Sequence, residues 1–258
     1  MNVSRAAFAV VMIALGIQGL VTGDLTAVWQ PVPKGVPARE VLIYLCALVS
    51  LASGVGLLWR RAAPAAARLL LGYLVLWALA FRVPVILRAP ATFPPWDGCA
   101  ETSVIVAAAW VLYARSAADW DRKRVGFATG EPGVRIARVL YGLAMIPFGL
   151  AHFIYAKETA AMVPVWLPAH VAWAYATGGA FLAAGAAVLT GVQAGLAAAL
   201  SAIQIGSFTL LVWVPILAVG SANAFQRTES ILSTALTAGA WVVAESYRDA
   251  PWIAGRSR

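Results

Sequence analysis

From Cys99 to Ala114 the chain reads CAETSVIVAAAWVLYA, and from Arg227 to Val243 it reads RTESILSTALTAGAWVV. Each stretch sets one glutamate, Glu101 or Glu229, at the mouth of a long apolar run. A carboxylate at the edge of a bilayer is costly, so it needs a buried partner, a water path or a chemical role. Its return at the same place in two similar stretches predicts a duplicated architecture with a polar site near one membrane face.

The surrounding composition agrees. Of 258 residues, 62% are hydrophobic and 12% are charged, whereas a soluble domain carries about a quarter charged. The apolar runs, roughly 18 to 25 residues each, match a hydrocarbon core about 30 Å thick. They predict an all-α integral membrane protein with eight transmembrane helices. In the first half these fall at about Arg5–Val21, Val41–Trp59, Ala66–Leu87 and Cys99–Ala114. In the second half they fall at about Val134–Tyr155, Trp166–Thr190, Gly195–Val219 and Glu229–Glu245. Arg5 ahead of an apolar core resembles a signal peptide, but Leu20-Val21-Thr22-Gly23-Asp24 offers no small-x-small cleavage site. The first span is therefore expected to be retained.

Thirteen of the 19 Lys and Arg residues fall on one side if the termini are cytoplasmic, Arg5, Arg60, Arg61, Arg68, Arg256 and Arg258 among them. The other six are Lys34, Arg39, Arg82, Arg88, Lys157 and Arg227. The asymmetry predicts that both termini are cytoplasmic. It also explains the net charge of +8 as topological charge beside an anionic leaflet, with no call for nucleic acid. Cys46 and Cys99 could form a disulfide only if their helices are neighbours at matching depth. No CxxC is present.

The repeat emerges when equivalent segments are set side by side. LGIQGLVTGDLTAVWQPVP answers FGLAHFIYAKETAAMVPVWLP, matching Gly16 with Gly149 and Pro31 with Pro164 at one offset. Gly54 matches Gly185, the Pro84 of FRVP matches the Pro215 of VWVP, and Glu101 matches Glu229. This predicts a four-helix repeat at 1–114, a charged linker at 115–133 with Trp120 at headgroup depth, and a second repeat at 134–258. An even number of spans per half makes the repeats parallel, related by a pseudo-twofold axis along the membrane normal.

Candidate chemistry gathers on the face that holds both glutamates, together with Asp97, Arg88, Arg227, Lys157 and the only histidines, His152 and His170. Glu229, Ser233 and Thr237 recur at helical spacing along one stripe, and Ser201, Gln204 and Ser207 along another. Glu229 and His152 are the expected proton-exchanging pair, with Trp166, Tyr155, Gln204 and Ser233 as ligand contacts. Each has a plainer explanation. A glutamate starting a helix is stabilised by the macrodipole and acts as a cap, and an interfacial histidine or tryptophan can simply be solvated. Glu101 reads as the structural twin, paired with Arg82, whose own alternative is to snorkel to the headgroups.

Two histidines cannot ligate two haems, and there is no Walker A, HExxH or strand-borne GxGxxG. No metal site and no covalently bound cofactor is expected. Midplane polarity is too sparse for a carrier of hydrophilic solutes. A lipid-soluble ligand such as a quinone needs only apolar walls and one or two hydrogen-bonding groups.

Gly149-Leu150-Ala151-His152-Phe153, Pro164-Val165-Trp166-Leu167-Pro168, the Gly178-Gly179 to Gly185 stretch and Glu229 together resemble the DoxX-like family of four-helix membrane proteins. Gly16, Pro31, Gly54, Arg60-Arg61 and Glu101 form a weaker copy without the histidine or the tryptophan-proline loop. The resemblance implies a tandem pair in a bacterial inner membrane. It also implies either a quinone-linked, redox-associated subunit or a non-catalytic accessory subunit of a larger membrane complex.

Overall fold

The structure is a computed structural model that describes residues 2–33 and 35–248. Lys34, Arg256 and Arg258 of the charge asymmetry, with the end of the second repeat, lie outside the described residues. Helix makes up 82% of the described residues, and no strand occurs among them. The first half contains α1 (Val3–Thr22), α2 (Arg39–Leu58), α3 (Ala63–Arg88) and α4 (Pro94–Ser116). A short α5 (Asp119–Arg124) leads to α6 (Gly130–Ile154), α7 (Ala156–Met162), α8 (His170–Thr190), α9 (Ala194–Ala218) and α10 (Ala224–Glu245).

Six of these helices, α1, α2, α3, α6, α8 and α9, are long and apolar enough to cross a membrane. Their length and composition are those of a multi-pass membrane protein. The long helices left out, α4 and α10, sit in the middle of the molecule, packed against each other and flanked by α6 and α1. Protein rather than lipid covers their sides, so they need not be apolar all round. Ala107, Ala108 and Ala109 on α4 and Ala235, Ala238 and Ala240 on α10 are buried there. Small side chains of this kind let helices approach closely.

The chain order of contacts departs from the expected pair of self-contained four-helix bundles. α1 packs on α2, α2 on α3 and α3 on α4, and then α4 packs on α6. In the second half α6 packs on α8, α8 on α9, α9 on α10, and α10 returns to α1. The result is two rings of five helices that share the α4–α10 wall. Each half closes its ring on the other half's last helix.

Within the rings, matched residues make matched crossings. A Cβ on Gly16 would stand 2.6 Å from the backbone nitrogen of Leu51 and 2.8 Å from the carbonyl oxygen of Ala47. A Cβ on Gly149 would meet the Gly178 carbonyl oxygen at 2.8 Å and Leu182 at 2.7 Å. Gly54 and Gly185 abut the carbonyls of Ala9 and Gly142 in the same manner. Both third helices widen into a single π turn, at Ala78–Arg82 and Thr209–Trp213, immediately before Val-Pro. Proline lacks the N–H that an α-helix would use there, and the wider turn accommodates the break.

The terminal end of the molecule is fastened by polar contacts onto the C-terminal end of α10. Arg115 donates to the Ser246 carbonyl at 2.7 Å, Arg138 to the Ser246 hydroxyl at 2.9 Å, and Ser4 to Glu245. The segment expected as a linker is pinned as well. Its Asp121 is buried and accepts from Tyr113 and Arg68, both at 3.1 Å. Trp120 lies under the guanidinium groups of Arg68 and Arg124. Both cysteines are free, Cys46 lying 3.5 Å from the Tyr73 hydroxyl.

Candidate functional site

The interior of the first ring is filled. After α1 the chain turns inward through Ala27–Trp29, and Trp29 is 1% exposed. Its indole N–H donates to the Ser50 hydroxyl at 3.0 Å, and its ring meets Tyr73 and Trp77 edge-on, each at 5.4 Å. Arg82 closes the top by donating to the Thr102 hydroxyl at 2.8 Å and to the Gln30 carbonyl.

In the second ring the equivalent chain stays outside. Val165 and Trp166 are 93% and 67% exposed. Behind them lies a cavity of about 790 Å³ walled by α6, α8, α9 and α10, with Asp97 and Glu101 of α4 on its boundary. Phe148, Phe181 and Phe208 form an aromatic floor, with ring pairs 5.8 and 6.1 Å apart. Trp173 on α8 and Leu211 on α9 line the cavity and are themselves 44% and 47% exposed. The cavity therefore opens sideways between those helices, onto the surface suited to lipid.

His152 projects into this space from the last turn of α6. Its Nδ1 lies 2.7 Å from the Phe148 carbonyl oxygen, which can only accept, so Nδ1 carries the proton. In the neutral ring Nε2 is left as an acceptor. Phe208 stacks on the imidazole at 5.7 Å and Phe181 flanks it at 5.3 Å, which fixes its orientation. Gln204 donates to the Thr177 carbonyl at 3.0 Å, holding α9 to α8, and its amide oxygen has no hydrogen bond among the described residues. Thr209, at the start of the π turn, lies 2.8 Å from both the Ser233 and the Thr237 hydroxyls.

Glu229, His152, Trp166, Tyr155, Gln204 and Ser233 thus all border one cavity. No hydrogen bond joins Glu229 to His152 among the described residues; each faces the shared space separately. His170 begins α8 and does not border it. Neither glutamate is a helix cap. α4 starts at Pro94 with Asp97 in its first turn, and α10 is capped by Asn223, which exchanges hydrogen bonds with Gln226 at 2.9 Å. Start signals ahead of the apolar run carry both helices outward beyond the glutamates.

Glu101 also differs from its expected role. It lies on the α4 wall and borders the same cavity as Glu229, while Arg82 is engaged by Thr102 and Gln30. Arg82 and Glu101 flank Gly98 but make no ion pair among the described residues. Helix spacing explains this, because Thr102 presents its hydroxyl to the guanidinium while Glu101 and Asp97, four residues apart, share the other face.

The aromatic floor is absent from the sequence reading. Phe148 was accessible to it in principle, lying one turn before His152 on the same face. Phe181 and Phe208 are placed by tertiary packing alone. No protein-family model matches the chain, and neither a curated protein nor a solved structure matches it.

Proposed function

We propose that the protein is a membrane-embedded binding protein for a lipid-soluble ligand that enters the second ring sideways from the bilayer. All eight long helices then cross the membrane as two parallel repeats, with the polar end of the cavity at the outer face and both termini cytoplasmic. The carrying observation is the cavity of about 790 Å³, apolar in its walls and bordered by His152, Gln204, Ser233 and Glu229 at fixed positions. Its size lies in the range of drug-sized ligand sites, about 300 to 1,000 Å³. A quinone-class ring is the ligand to try first, since it would lie between Phe208 and Trp173 with an oxygen toward His152 or Gln204. Glu229 and His152 are the groups able to exchange protons with such a head. This reading agrees with the DoxX-like resemblance and places the protein with quinone-linked membrane subunits.

The test is binding of a short-chain ubiquinone analogue to protein in lipid nanodiscs, followed by tryptophan quenching. His152→Ala and Gln204→Leu should each weaken binding by about tenfold, the worth of one hydrogen bond of roughly 1.4 kcal/mol. Unchanged affinity in both variants overturns the site. Failure of the wild type to bind leaves the accessory-subunit alternative as the better reading.

A further inference from the structure

Four carboxylates border the cavity: Asp97 and Glu101 from α4, Glu158 from α7 and Glu229 from α10. None of them is in an ion pair among the described residues. The hydroxyls beside them serve other acceptors: Thr102, Ser103 and Ser230 turn back to the carbonyls of Gly98, Cys99 and Gln226. The remaining titratable groups on the boundary are His152 and Tyr155, and no lysine or arginine among the described residues borders it. The nearest cation behind the wall, Arg82, has two acceptors of its own.

An ionised carboxylate facing an apolar space without a counter-charge is strongly disfavoured, so it holds a proton or recruits a positive charge. The described residues bring no three His, Cys, Asp or Glu side chains into a metal-holding group. The same cavity is lined by aromatic side chains whose faces attract organic cations: Trp173, Trp213, Phe208 and Phe181. We infer that this cavity selects lipophilic organic cations, amines or quaternary centres on an apolar body, and that such a cation displaces protons held by Asp97, Glu101 and Glu229. This deepens the ligand-binding reading above and rests on it.

In proton terms the step is an exchange. The cation enters from the bilayer and the carboxyl groups it neutralises release protons to water at the polar end. Binding must therefore tighten as pH rises through the range where those carboxyls ionise. It must also disfavour an anion of the same shape, because the carboxylates outnumber His152, the one basic side chain on the boundary among the described residues.

The probes are tetraphenylphosphonium and tetraphenylborate, which are nearly identical in size and opposite in charge, with the ubiquinone analogue as the neutral reference. Binding to the full chain in nanodiscs is measured at about pH 5 and about pH 8. The phosphonium should bind about tenfold or more tightly at the higher pH, and at least tenfold more tightly than the borate. The triple variant Asp97→Asn, Glu101→Gln, Glu229→Gln should lose both differences between the two ions. Equal binding of both ions, or pH-independent phosphonium binding, overturns the cation inference without touching the ligand site. Loss of all three ligands in the wild type overturns the site itself. The wild-type comparison of opposite charges decides the matter even if the triple variant does not fold.

Discussion

In the first ring the loop after α1 folds inward and Trp29 seals the interior. In the second, the corresponding loop runs outward through Val165 and Trp166 and a cavity of about 790 Å³ remains. The helices around these contrasting interiors are built alike, down to the glycine crossings and the π turn before each Val-Pro. What differs is how polar atoms are used. In the first ring Trp29 meets Ser50, Tyr73 meets Cys46 and Arg82 meets Thr102, so polar groups consume one another. In the second, the positions aligned with Gly19, Ser50 and Tyr73 are His152, Phe181 and Gln204, and the carboxylates on the same cavity make no ion pair among the described residues. One scaffold therefore serves as a packed core on one side and a site on the other.

The largest expected effect lies in the plug. Trp29→Ala removes a fully buried indole and the hydrogen bond it donates to the Ser50 hydroxyl, and should cost about 3 to 5 kcal/mol by the general cost of emptying an aromatic core position. Phe208→Ala, at the aligned ring's aromatic floor, should cost less than half as much, because its side chain already borders open volume. Thermal unfolding of the two variants in the same detergent measures the ratio. Equal losses would erase the distinction between a filled and an unfilled ring.

A smaller effect tests what the rings share. Gly16→Ala and Gly149→Ala each push a methyl group against a neighbouring backbone, with contacts of 2.6 and 2.8 Å. Overpacking of this kind costs about 1 to 3 kcal/mol, and the two losses should agree within error. A variant pair in which only one half is sensitive would show that the common crossing is a likeness of sequence without a likeness of load.

Much of this plan was legible in the chain, because hydropathy and glycine spacing report directly on lipid exposure and close approach. Gly16, Gly149, Gly54 and Gly185 mark helix crossings, and the six lipid-suited helices follow from their apolar runs. Several side chains that border the cavity were also conspicuous, since histidine, glutamate and glutamine stand out in an apolar background. Helix starts were not: Pro94 and Asn223 precede the apolar runs by more than a turn and signal through capping chemistry instead. The exchange of fourth helices was hidden for a different reason. Periodicity says which face of α4 is small and buried, but not which partner covers it, and so Glu101 seemed to belong to Arg82 when it borders the other ring's cavity.

The smallest effect separates the two roles that Thr209 could play. Its hydroxyl sits where the π turn of α9 begins, within 2.8 Å of Ser233 and Thr237 on α10. If the hydroxyl made the turn, its counterpart in the first half would need one too. That counterpart is Ala78, and α3 forms the same wide turn from Ala78 to Arg82 without it. The turn is therefore owed to the following Val-Pro, and the hydroxyl's work is to tie α9 to α10. Thr209→Ala should cost only about 1 kcal/mol, since Thr237 keeps its bond to the Ser233 carbonyl at 2.8 Å. Amide exchange should rise modestly where α9 meets α10 and stay unchanged through Thr209–Trp213. A collapse of protection across that whole turn would mean that the second ring, unlike the first, depends on a side chain to hold its wall in shape.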